Sequence, residues 1–532
     1  MDKKKKRIFI VIVSLLIVIS VSFAYFVIQI GKDTSVDVNV NTDDLDDLKF
    51  EVSKNINLSA DQFNFASGKG DISDNAIAKA SLKANSTNNL ATYNYYVYFN
   101  VLKNNYIYTT SDNKPEIVLT ITNPNGAEVT SVDGLSYVSV TNASGDTIKG
   151  FDITTSNGLI NIANNYEITS NSSTNYITQE WTFKVTFVNL DSDQSKNGEN
   201  SMEAQIVIQK DKALSSLADV CSSGDNLAEC IKKLGDNSFS TLTNIYVHNT
   251  SLENGACDGS YRYAGPSDTT NNFVCFGYDS QDGTCPSDNL YRIIGVFDNQ
   301  VKLIKYDYAK STLLGTDGDY YNTYKGWEGS SSHGTNKGQN SKEEIGVYYW
   351  NNNTSNNTWS ESRLNTVNLN KNYINKIDEN GTKWSEKISD HTWKVGGNTW
   401  SNIAEQTAPT AYQNEINNPA TNKTVNAKVG LMYVSDYGYA ASSNYWSTAL
   451  NSYNNVIANN WMYMGLYEWT LAPQTDISDH AFGVGSSGIV DGDYVNGRFV
   501  GGNIAARPVL YLTSETAYVS GNGTLSKPFI IN

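Results

Sequence analysis

The chain has 532 residues and carries 39 Lys and Arg against 55 Asp and Glu, a formal net charge of −16 at pH 7. Charged residues make up only 18% while aromatics reach 11%, with 34 Tyr and 10 Trp. That much ring area offsets the entropy of ordering and excludes a disordered chain, and the acidic balance excludes nucleic acid as a partner. The length allows two to four domains with separate cores.

Residues 1–7, MDKKKKR, form a basic stub, and residues 8–30, IFIVIVSLLIVISVSFAYFVIQI, hold no charge. At helical rise this run reaches ~34 Å, enough for a hydrocarbon core of ~30 Å. The spacing predicts one transmembrane helix with its basic flank in the cytoplasm, so the protein attaches to the membrane through residues 8–30. A cleaved signal peptide is the competing reading, because Ser22-Phe23-Ala24 resembles a small-x-small cleavage site. Either way, everything beyond Gly31 is extracellular. Residues 31–49 read as a solvated acidic stalk.

From 50 to 212 the chain alternates apolar and polar residues in short runs, as in Tyr93–Val101, Glu116–Ile121, Glu180–Val188 and Ala204–Ile208. Turn clusters such as Asn123-Pro124-Asn125-Gly126 separate them. Period-two alternation with these turns predicts an immunoglobulin-like antiparallel β-sandwich. Residues 213–245 switch to helical spacing, with Leu217, Val220, Leu227, Cys230 and Ile231 on one face, and read as a helical connector.

All five cysteines, Cys221, Cys230, Cys257, Cys275 and Cys285, fall in one window. Outside the cell such clustering points to disulfides, and the two near-equal spacings pair Cys221 with Cys230 and Cys275 with Cys285. Cys257 is left over, free or joined to another chain. No CxxC occurs and His248 is the only nearby histidine, so no metal is expected there.

Residues 246–532 contain NLYRIIGVF (289–297) and VKLIKYDYA (301–309), a hairpin, followed by a helix marked by Leu364, Val367, Tyr373, Ile374 and Ile377. Then come HTWKVGG, GLMYVSDYGYAAS, NNWMYMGLYEWTLAP, AFGVGSSGIV and ARPVLYL, ending in GNGTLSKPFIIN. This order resembles an uncharacterised family of surface proteins from gut-dwelling Gram-positive bacteria. Its late segments, a Trp block, then AFxVxxxGxV, then RPV, resemble the C-type-lectin-like fold shared by formylglycine-generating enzymes and retroelement-diversified variable proteins. The resemblance implies an α+β domain whose buried aromatics stand in for extended sheets, with Trp461, Met464, Leu466, Trp469 and Leu471 in the core.

Catalytic constellations are missing. The four histidines form no HExxH, no GxSxG or Walker element is present, and no cysteine follows Cys285 where the formylglycine-generating enzymes use a late pair. No catalytic residue, cofactor or metal is therefore expected. The aspartate pairs Asp317/Asp319 and Asp491/Asp493 read as solvated turns, with calcium as the rival. Between the Trp block and RPV, Asp479, His480, Asp491, Asp493, Tyr494, Asn496 and Arg498 fall on connecting turns. Tyr with Asp and Asn is a palette of adaptable recognition loops, and in the retroelement-diversified proteins that this domain resembles the late segment forms the binding face. The reading is a membrane-anchored extracellular binding or adhesion protein, not an enzyme, presenting a lectin-like tip to a protein or glycan. An exported cell-wall or glycan-processing enzyme and a self-assembling structural surface protein are the rivals.

Overall fold

A computed structural model of the chain describes residues 46–60, 70–87, 89–279, 284–324, 344–352, 356–495 and 504–532. The basic stub 1–7, the expected membrane helix 8–30 and most of the stalk lie outside the described residues. Among the described residues no helix is long and apolar enough to cross a membrane. The chain is mainly β, and it divides into two units, 1–212 and 213–532.

In the first unit the alternating runs form β1 (Asp47–Val52), β2 (Ile56–Ser59), β3 (Ile72–Lys83), β4 (Ala91–Asn104) and β5 (Ile117–Thr122). They continue as β6 (Tyr137–Thr141), β7 (Thr147–Asp152), β8 (Gly158–Ser170), β9 (Ile177–Phe187) and β10 (Ser201–Gln209). One sheet runs β1-β3-β9-β5-β7-β6 and the other β2-β10-β4-β8, with antiparallel pairing throughout. Every second residue of β3 and β10 points inward: Ala76, Ala78, Ala80 and Leu82 from one sheet, Met202, Ala204, Ile206 and Ile208 from the other. Both faces join a single core, a two-layer sandwich. The layers are tied where Trp181 of β9 donates its Nε1–H to Tyr95 of β4 at 2.9 Å. The first strand starts at Asp47, inside the stretch read as stalk, because Leu48, Phe50 and Val52 alternate against this core despite the acidic residues before them.

The second unit starts at the stretch read as a connector. Its helix α1 (Leu227–Asn237) buries Leu227, Cys230, Ile231 and Leu234 in the same core as the later strands. Asn226 caps it, accepting the Glu229 N–H at 3.0 Å. Both expected disulfides are present, Cys221–Cys230 and Cys275–Cys285, and Cys257 is a free, exposed thiol. The following strands are short: β11 (Ile245–Val247), β12 (Tyr261–Tyr263), β13 (Phe273–Cys275), β14 (Leu290–Phe297), β15 (Gln300–Lys305), β16 (Tyr320–Tyr324) and β17 (Ile345–Tyr348). After a helical segment over 364–377 come β18 (His391–Lys394), β19 (Thr424–Ala427) and β20 (Val429–Gly430). The short helix α2 (Val434–Tyr439) leads to β21 (Tyr467–Pro473), β22 (His480–Val484), β23 (Val490–Tyr494), β24 (Ile504–Ala505), β25 (Val509–Tyr511), β26 (Tyr518–Ser520) and β27 (Ile530–Ile531).

One sheet runs β11-β12-β14-β15-β25-β20, with β13 also on β14, and a second runs β16-β17-β24-β21-β22-β23. The β14–β15 hairpin carries a register shift at Gly295, where a Cβ would sit 2.3 Å from the Tyr261 carbonyl oxygen, so only glycine fits. The aromatic block packs inside: Trp461, Trp469 and Leu471 are fully buried, with Met464 and Leu466 nearly so. The two indoles donate to backbone carbonyls, Trp461 to Tyr263 and Trp469 to Tyr348, each at 2.8 Å. Arg507 of the RPV motif closes the block. Its Nε and Nη2 grip Glu468 at 2.6 and 2.9 Å, and Nη2 also reaches the Met462 carbonyl at 2.7 Å.

Candidate functional site

The β22–β23 hairpin brings together five of the seven residues proposed from sequence: Asp479, His480, Asp491, Asp493 and Tyr494. All except Asp479 lie on its paired strands and not on the connecting turns expected, because the alternation of Phe482, Val484 and Val490 extends the ladder through them. Asn496 and Arg498 lie outside the described residues. His480 stands opposite Tyr494 across the ladder, with ring centroids 4.1 Å apart. The neighbouring Asp479 holds the imidazole through Oδ1 at 2.8 Å from Nδ1. Asp491 and Asp493 are two residues apart on one strand and therefore share a face, opposite the small residues Gly483 and Ala481. Burial, then the charge of Asp491, pushes the Asp493 carboxyl up to about 6, with His480 opposing.

The face also includes a residue that sequence reasoning missed. Trp400, half-buried, donates Nε1–H to Asp491 Oδ1 at 2.8 Å, and its backbone N–H lies 3.3 Å from Asp476 Oδ1. The loop bearing it is pinned to the end of β21 and the residues after it. Gly397 adopts φ +58° and a Cβ there would lie 2.0 Å from the Pro473 carbonyl oxygen, while Thr475 donates its N–H to Asn398 at 3.0 Å. No sequence signal links positions 400 and 491, because the contact depends on that close backbone approach.

The rival calcium turn at Asp317 and Asp319 has another role. Asp319 is buried and its carboxylate accepts the backbone N–H groups of Arg363 and Leu364 at 2.7 and 2.9 Å, anchoring the start of the 364–377 helical segment. Among the described residues the only group with metal-ligand spacing is Cys221, Asp225 and Cys230, and its two sulfurs are consumed by the disulfide.

A second cluster of ionisable groups is buried in this unit. Arg262 pairs with Asp258 at 2.5 Å and Lys302 pairs with Asp436 at 2.5 Å. Glu415 accepts the N–H groups of Val434 and Ser435 and the Ser435 hydroxyl, each at 2.9 Å. Burial pushes Glu415 up to about 7 in spite of these donors. His248 is fully buried against Tyr439 and Trp446, and burial followed by the Arg262 charge holds its imidazole well below its usual range. A cleft of about 450 Å³ lies elsewhere, lined by Lys305, Lys310, Lys376, Asp288 and Glu379 among others. Two of those lysines are already committed, Lys310 to Asp288 at 2.8 Å and Lys376 to Glu379.

Compared with known proteins, the chain matches no family model, no curated protein and no solved structure.

Proposed function

We propose that this is an extracellular binding protein, held at the membrane by residues 8–30, whose second unit is a C-type-lectin-like domain recognising a protein or glycan. In this reading the first unit is an immunoglobulin-like spacer, in keeping with its two antiparallel layers. The two disulfides suit an oxidising compartment. The arrangement of the hairpin carries the proposal. Trp400 supplies ring surface beside Asp476, Asp491 and Asp493, with the His480–Tyr494 ring pair on the other face of the same ladder. This mixture of flat aromatic area and hydrogen-bonding groups suits sugars and loop epitopes.

The enzyme reading asks for two carboxyls facing each other across a cleft. Asp491 and Asp493 are instead neighbours on one strand. The same face supports binding without catalysis.

The test is an array of glycans and host-surface proteins probed with the whole extracellular chain. For any ligand recovered, the double change Asp491→Ala with Asp493→Ala should weaken binding at least tenfold while the melting curve stays in place. Undiminished binding by that variant would remove the hairpin as the site.

A further inference from the structure

Lys302 leaves β15 and ends in the interior of the second unit. Its side chain is 1% exposed and that of Asp436, on α2, is 2% exposed. Four rings surround the ammonium: Tyr433 at 4.5 Å, Tyr511 at 5.3 Å, Phe297 at 5.4 Å and Trp393 at 5.7 Å from Nζ. Among the described residues its one hydrogen-bond acceptor is Asp436 Oδ2, for three N–H donors. The same Oδ2 accepts the Tyr433 backbone N–H at 2.9 Å.

An ion pair walled by aromatic rings has lost its hydration, and attraction between the charges offsets that loss only when further hydrogen bonds complete both groups. Here two ammonium donors have none. Moving one proton across the 2.5 Å contact gives the neutral amine and neutral carboxylic acid from which condensation proceeds. Burial acts on Lys302 in that direction, lowering its affinity for the proton against the pull of Asp436. Burial pushes the Glu415 carboxyl up to about 7, which reduces the charge of this second carboxylate near the pair at neutral pH. Arg262 is balanced by its own partner, Asp258.

We propose that Lys302 and Asp436 condense spontaneously into an intramolecular amide bond. The amine lone pair attacks Asp436 Cγ, a C–N bond forms, and one C–O bond of the carboxyl breaks. The departing oxygen leaves as water, carrying the acid's proton and one proton from the amine, and no atom changes oxidation state. The product suits the enclosure better than the reactants. One amide N–H replaces three ammonium donors, and the remaining carbonyl oxygen can still accept the Tyr433 N–H. The bond joins the central sheet to α2 across 134 residues of chain, a span that neither disulfide covers.

Denaturation separates an ion pair but not an amide, so the full-length chain is purified, denatured and digested. Tandem mass spectrometry should find a branched peptide joining the segments around Lys302 and Asp436, lighter by one water than their sum, with no tryptic cleavage after Lys302. Cyclisation at an Asp-Gly pair such as Asp491-Gly492 also loses water, so the branched peptide decides and not the intact mass alone. Lys302→Arg should restore the missing water. Two separate linear peptides of full mass, or a water deficit that persists in Lys302→Arg, would reduce the pair to an ion pair and overturn the proposal.

Discussion

The two units keep their interiors in different ways. Among the described residues the first buries one charged side chain, Glu116, whereas the second buries nine, among them Arg262, Arg292, Lys302, Glu415, Glu468 and Arg507. Strand length explains the difference. In the sandwich, β3, β4 and β8 run for 12, 14 and 13 residues, so ladder bonds satisfy most of the backbone. The strands of the second unit span two to eight residues and leave interior loop carbonyls without a ladder. Buried cations fill that need. Arg292 donates to the Thr270 carbonyl at 2.7 Å, Arg507 to Met462 at 2.7 Å, and Lys428, half-buried, to Ser385 and Ile388 at 2.7 and 2.9 Å. A unit with little regular structure therefore depends on charge where the sandwich depends on pattern.

If that contrast holds, the largest effect comes from breaking a buried cation. Arg507→Met leaves the buried Glu468 carboxyl without its partner and the Met462 carbonyl unmet, and should destabilise the second unit by about 3–5 kcal/mol. Calorimetry of the full chain should show that transition move while the sandwich transition stays. A shift in both would mean that the units are not independent in stability. Trp469→Ala tests the aromatic part of the same interior and should cost about 3–5 kcal/mol, the range for deleting a large buried ring. Unchanged melting would place Trp469 at the surface.

The pH response should separate the units as well. Folding raises the Glu415 carboxyl from 4.5 to about 7, so its contribution is complete below pH 4.5 and is lost as pH rises through 7. The second unit should weaken over that window with a slope of up to about 1.4 kcal/mol per pH unit from this group. Glu415→Gln should flatten the curve, and denaturant melts at several pH values would show whether it does. The smallest change expected is from Cys221→Ser with Cys230→Ser. Opening that short loop should cost about 2.7 kcal/mol on the chain-entropy account. A loss confined to the second transition would confirm that α1 belongs to that unit's fold.

The alternation of β4, β5, β9 and β10, the helical face of α1 and the two cysteine pairs were all legible in the amino-acid order. Each depends on residues close together in the chain, where a period of two or 3.6, or a short loop, sets the geometry directly. Asp479, His480, Asp491, Asp493 and Tyr494 could be picked out as one polar segment, but they were read onto turns, whereas the fold pairs all except Asp479 within a ladder. The stalk boundary was also less legible, since acidic residues at 43–47 masked the alternation of Leu48, Phe50 and Val52. What the tertiary structure alone decided is long-range and polar. Trp400 meets Asp491 because Gly397 lets one backbone approach another, and Asp319 anchors the 364–377 segment instead of forming an exposed turn. Lys302 finds Asp436, and Arg507 finds Glu468, deep in the interior. A charged residue reads as surface in any local window, because only the completed fold removes its water and supplies the one partner that makes burial tolerable.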